Sequence, residues 1–168
     1  MTGDRPSIGE PEGDDESPAE EAPNSMPGAV SAAVDLGSNS VHLLVAGVAE
    51  HRLEPLLDES VFLGLGVAID ACGYLGATAR AGLVEALVHY TELSRGLGAR
   101  TITFLGTEPI RRAADGPTIA HEVERATGVP IHVLSHEEEA YLTVVGVMAG
   151  RVVEQETLIV DVGGGSSE

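Results

Sequence analysis

Ala33-Val34-Asp35-Leu36-Gly37-Ser38-Asn39-Ser40 decides the fold, and it nearly recurs as Ile159-Val160-Asp161-Val162-Gly163-Gly164-Gly165-Ser166. Both stretches run apolar, apolar, Asp, apolar, Gly, and then continue in glycine or small polar residues. The pattern predicts a buried strand that ends near a carboxylate and turns through glycine. Glycine lets the backbone come close to an anion, and Ser and Asn add short hydrogen-bonding groups. An Asp at the rim can hold a divalent cation through water and bridge it to phosphate oxygens. One such loop is a common turn; two of matching polarity, each after an apolar strand, predict a phosphate clamp.

Composition narrows the class. The 168 residues suffice for one ordinary domain and the start of another, and a 43 % hydrophobic content supports a real core. Aromatics are only 3 %, so the core must rest on Val, Leu, Ile and Ala. The single cysteine, Cys72, excludes an internal disulfide and is read as a small, buried or half-buried residue. No apolar run is long enough to span a membrane and the N-terminus does not read as a signal peptide, so a cytoplasmic protein is expected.

The net charge is −18, of which residues 1–28 carry −7 with Arg5 as their one base. No basic stripe exists to displace counterions from nucleic acid, so that partner is excluded. All nine basic residues are Arg. The lack of lysine rules out a Walker-type phosphate loop or a lysine-dependent kinase site in these residues.

Residues 1–28 are rich in Pro, Gly, Ser, Asp and Glu, and are expected to form a disordered acidic tail. Beyond them, strands are expected over Val30–Leu36, Val41–Ala49 and Leu53–Leu63, the first two joined as a hairpin through the Gly-Ser-Asn turn. His42 lies beside that turn, as a packed strand histidine or within reach of a phosphate. Gly64-Leu65-Gly66 lacks the third glycine of a dinucleotide fingerprint and reads as a loop with no helix directly after it.

A helix is expected from Thr78 to about Leu97, with Leu83, Leu87 and Tyr90 on one face, followed by a strand over Thr101–Leu105. Arg111 and Arg112 follow that strand's end, where α/β sheets place ligands. A surface arginine pair on a short helix is an equal alternative. Pro117 opens a helix that Gly128 stops, and Pro130–Leu134 is the next strand. Ser135-His136-Glu137-Glu138 reads as a capping box that starts a helix running to about Val147. Three glutamates in its first turn are favoured by the helix dipole alone. Thr157–Val162 is the last expected strand.

The resulting order, β-β-β-α-β-α-β-α and one more strand, is that of a ribonuclease-H-like α/β domain with a mixed sheet. It resembles the actin-like ATPase superfamily, in which two such domains face each other across a cleft. Within it, four stretches resemble the exopolyphosphatase and guanosine pentaphosphate phosphohydrolase (Ppx/GppA) family. They are Asp35 to His42; Gly106-Thr107 with Ile110-Arg111-Arg112-Ala113; Glu138-Glu139-Ala140; and Asp161 to Glu168.

The resemblance implies a hydrolase that releases terminal phosphate from inorganic polyphosphate or guanosine pentaphosphate, with a divalent metal, Mg2+ being expected. It implies Glu139 as the base that activates water, Arg111 as a phosphate-binding arginine, and Asp35, Asp161 and Glu168 as metal-side acids. Gly37, Ser38, Asn39, Ser40, Gly163, Gly164, Gly165 and Ser166 would cradle phosphate. It also suggests a homodimer. His136 and Tyr141 depart from the family's usual glycine and arginine, which leaves substrate preference open.

The expected organisation is a tail over 1–28, a first domain over 29–150, and the opening of a second over 151–168. Such a piece is expected to be inactive alone. Two other readings remain: a non-catalytic sensor of phosphate or nucleotide with the same fold, and another ATP-binding member of the superfamily.

Overall fold

The computed structural model describes residues 28–49, 52–149, 156–165 and 167; the acidic tail expected over 1–28 lies almost wholly outside them. Strands β1 (Ser31–Leu36), β2 (Ser40–Ala49) and β3 (Arg52–Phe62) come first, then helices α1 (Leu65–Cys72) and α2 (Gly76–Gly96). Next are β4 (Thr101–Gly106), α3 (Glu108–Arg112), α4 (Gly116–Thr127), β5 (Ile131–Val133) and α5 (His136–Met148). The sheet order is β3-β2-β1-β4-β5. The first three strands pair antiparallel, whereas β4 joins β1, and β5 joins β4, in parallel. This is the mixed α/β sheet expected from the sequence.

Strand alternation explains the core. Ala32, Val34 and Leu36 of β1 and Val41, Leu43 and Val45 of β2 are buried. They cluster with Leu65 and Ile69 of α1, Leu83, Leu87 and Tyr90 of α2, Phe104 of β4, and Ile119 and Val123 of α4. Period two in the strands and spacings of four in the helices put these side chains on facing surfaces. The hydroxyls of Thr91, Ser94 and Thr127 donate to carbonyls four residues back, which satisfies them inside the core.

β3 is longer than its neighbours need. Its register with β2 shifts between Val45 and Ala46, which face Leu57 and Pro55. Proline lacks a backbone donor, and an edge strand with a bulge tolerates that loss.

Three expectations are corrected. Gly64-Leu65-Gly66 is the start of α1, not a loop without a helix. Gly64 sits in the left-handed region at φ 61° and no side chain caps the helix, so the sequence offers no capping signal. The strand expected over Thr157–Val162 does not form. Among the described residues this segment shows an isolated bridge between Val162 and Ser167, and Leu158, Val160 and Val162 are exposed. Cys72 is exposed, because it ends α1 just before Gly73 turns the chain away. No helix among the described residues is long and apolar enough to cross a membrane.

Candidate functional site

The first glycine loop is held from beneath. Gly37 N–H donates to the Ser40 carbonyl at 3.0 Å, closing the turn between β1 and β2. The Ser38 carbonyl accepts from Gly66 N–H at 2.8 Å, and the Asn39 carbonyl from Leu63 and Gly64 N–H at 3.0 and 2.8 Å. The first turn of α1 is therefore a clasp on this loop.

β1 and β4 run parallel with Leu36 beside Gly106, so their C-terminal ends open on the same side. Thr107, just past β4, donates its hydroxyl to the Leu36 carbonyl at 3.0 Å. Glu108 follows and is buried; its Oε2 accepts from Ser38 Oγ at 2.9 Å. Its other oxygen pairs with Arg112, one turn on, and Arg112 also donates to Asp70 at 2.8 Å.

The helix that carries the three glutamates begins as expected. Ser135 Oγ accepts from Glu138 N–H at 3.2 Å, and Glu138 Oε2 accepts from Ser135 N–H at 2.8 Å. The capping box commits Glu138 to the backbone and leaves the neighbouring Glu139 for the cleft. Arg111 holds Glu139 at 3.2 Å, and also reaches the Leu134 carbonyl at 2.5 Å and His136 Nδ1 at 3.2 Å.

The two loops meet across a cavity of about 220 Å³. It is lined by Asp35, Gly37, Ser38, Asn39, Ser40, Thr107, Glu108, Glu139, Asp161, Gly163, Gly164 and Gly165. Asp161 is fixed by the Thr143 hydroxyl at 2.9 Å. Loop contact is tight. A Cβ on Gly164 would lie 2.5 Å from the Asn39 amide, and one on Gly165 2.5 Å from Ser38 Oγ and 2.7 Å from Glu108 Oε2. A Cβ at either position would force the facing side chains to shift.

The cavity thus gathers ten of the candidates read from the sequence, including both loops, Glu139, Asp35 and Asp161. Ser166 and Glu168 lie outside the described residues. Arg111 does not line it; its guanidinium is spent on Glu139, His136 and a carbonyl. His42 is absent from the lining too, and pairs with Asp58 at 2.6 Å across β2 and β3. Glu108 was missed. The signal available was its place two residues past the end of β4, where α/β sheets place ligands.

Among the described residues no lysine or arginine lines the cavity, whereas four carboxylates do. Asp35 is pushed up to about 6 from 3.8, first by loss of hydration and then by the negative charge of Glu139 and Asp161, with His42 opposing. Among the described residues no three His, Cys, Asp or Glu side chains converge for a metal. Asp35 and Asp161 line one cavity and could hold a divalent cation, of the kind that takes one or two carboxylates and fills its shell with water.

The family model of the Ppx/GppA phosphatase family matches residues 44–168. The chain belongs to the Ppx/GppA phosphatase family. A curated Haemophilus influenzae protein, provisionally named an exopolyphosphatase, is 28 % identical over 137 residues, 82 % of this chain and 42 % of that protein. The crystal structure of the Aquifex aeolicus Ppx/GppA family member superposes with a TM-score of 0.77 at 27 % identity. The match covers 83 % of this chain and 45 % of that one. An exopolyphosphatase from Cytophaga hutchinsonii shares the fold, with a TM-score of 0.76 at 22 % identity over 82 % of this chain and 45 % of its own. The chain spans less than half the length of these relatives.

Proposed function

We propose that the cavity binds the terminal phosphoryl group of a phosphoanhydride, inorganic polyphosphate or guanosine pentaphosphate, and contributes to its hydrolysis. The observation that carries this reading is Glu139, aimed into a cavity walled by both glycine loops and braced from behind by Arg111.

The backbone N–H groups of the two loops are the donors for phosphoryl oxygens, a role glycine serves by letting the chain approach. Asp35 and Asp161 would hold a magnesium ion, which when bound offsets the phosphate charge that four carboxylates would otherwise repel. Glu139 accepts a proton from a water molecule as that water's oxygen bonds to the terminal phosphorus. The anhydride P–O bond breaks, and its electron pair leaves on the oxygen of the shortened chain. Arg111 serves as a positioning residue, because its contacts fix Glu139's carboxylate rather than line the cavity. This differs from a direct phosphate contact, the role that resemblance alone suggests for it.

We further propose that residues 29–150 form a first domain, that 151–168 open a second, and that turnover needs the remainder of that second half. A terminal phosphoryl group gripped on one side lacks the closure that excludes water and fixes the attack line.

The test is phosphate release from long-chain polyphosphate and from guanosine pentaphosphate with magnesium. The 168-residue chain is compared alone and joined to a second half, each with Glu139 and with Glu139→Ala. Turnover by the joined form, cut by about 10²–10⁴-fold in the variant, is expected for a general base. Turnover that survives in Glu139→Ala removes that residue from the role. Tight binding of either compound without release would favour the sensor reading.

A further inference from the structure

Glu108 has no place in the mechanism above, although it is 5 % exposed and sits on the cavity wall. A carboxylate there opposes any anion that enters. Its Oε2 takes the only hydroxyl proton of Ser38, at 2.9 Å. With that proton committed, Ser38 presents lone pairs to the cavity and not a donor. Its other oxygen is held by Arg112, half exposed, which is itself shared with Asp70. Gly165 comes so close that a Cβ would touch both Ser38 Oγ and Glu108 Oε2. The Glu108–Ser38 pair therefore lies against Gly165, where the two loops meet.

We infer that Glu108 is a specificity-determining residue: it makes the cavity reject a bare phosphoanhydride and accept one whose charge a divalent cation has already offset. The inference rests on the phosphate reading of the cavity and names which form of the substrate that cavity takes. Removing the charge has two effects of the same sign. It relieves repulsion of the incoming anion, and it frees Arg112 to attract one. Ser38 also regains its proton for donation to phosphate. A residue with only a supporting role would give the opposite result, because its loss would weaken binding.

The experiment is calorimetric binding of tripolyphosphate to the 168-residue chain at low ionic strength, once with chelator and once with magnesium. Glu108→Gln keeps the size of the side chain and is expected to bind metal-free tripolyphosphate about tenfold more tightly than wild type, the scale of one like charge removed at short range. With magnesium the gain is expected to fall to about twofold or less, since the cation already screens the site. Arg112→Ala, which bares the Glu108 charge and removes no core group, is expected to shift metal-free binding several-fold the other way. Circular dichroism melts check that both variants are folded.

Binding by wild type with no gain, or a loss, in folded Glu108→Gln overturns the inference and leaves the phosphate reading standing. A gain that is equal with and without magnesium also overturns it. Absence of binding by all three proteins under both conditions overturns the phosphate reading itself, and the inference with it. Should Glu108→Gln fail to fold, Arg112→Ala decides alone: unchanged or tighter metal-free binding overturns the inference.

Discussion

The two glycine loops are near copies in sequence and unlike each other in structure. The first leaves a strand paired on both sides, with β2 antiparallel and β4 parallel, and α1 holds its Ser38 and Asn39 carbonyls. The second follows residues 156–162, which form no strand; among the described residues its contacts include an isolated bridge and the Thr143–Asp161 bond. Both present an Asp and glycines to the same cavity. A strand signal is thus a request for neighbours, and only the first loop has them. The first loop is a fixed wall, and the second takes its place by contact with that wall.

The largest expected effect tests the wall. Leu36→Ala, at a fully buried position on β1, should cost about 3 kcal/mol in a urea melt through the cavity it leaves. A cost below about 1 kcal/mol would mean that β1 is not the element on which the first loop is built.

Next comes the contact between loops. Gly165→Ala drives a methyl into Ser38 Oγ and Glu108 Oε2, so the second loop or these side chains must shift. Misplacing a site by about 1 Å can cost 10²-fold, so tripolyphosphate affinity with magnesium should fall by about that factor while the melting midpoint stays put. Unchanged affinity would separate the two loops functionally.

A smaller effect lies in Asp35. Its folded pKa, about 6, stands above the ordinary value of 3.8, so the folded state holds the proton more tightly. Stability from this group is complete below about pH 4 and is lost as pH rises through about 6. Asp35→Asn should therefore match wild type near pH 4 and exceed it at pH 8 by about 1 kcal/mol, a figure reduced for solvent screening. Magnesium at pH 8 should narrow the gap, and a gap that is widest at pH 4 would reverse the assigned sign. The smallest effect is Val162→Ala, at an exposed position before the second loop, expected within about 0.5 kcal/mol of wild type.

How much the sequence disclosed follows the same division. The β1–β2 hairpin, α2, α4 and the Ser135–Glu138 capping box were legible because local chemistry and tertiary neighbours agree there. α1 was not, because its start is a left-handed Gly64 whose partner, Asn39, lies 25 residues earlier. The strand over Thr157–Val162 was overread: alternation and β-branched residues mark a segment suited to a sheet, and they do not supply the sheet. At the site, glycine and carboxylate positions were legible from pattern. Glu108 and the true partner of Arg111 were not, since both depend on side chains brought together from α3, the β1–β2 loop and α5. The capping box claimed Glu138 from the sequence and the resemblance named Glu139; the structure adds that Glu139 lines the cavity.

Helix α5 has no buried residue along its 13 positions, yet Arg111 ties its first turn to α3 through Glu139, His136 and Leu134. Such a helix is a lever with its fulcrum at the cleft. Its length of about 20 Å means that a 10° tilt about the first turn carries the Met148 end by about 3 Å but moves Glu139 by less than about 1 Å. Whatever pulls on the far end of α5 is therefore geared down roughly fourfold before it reaches the carboxylate. Large displacements at one end of the rod become fine adjustments at the other.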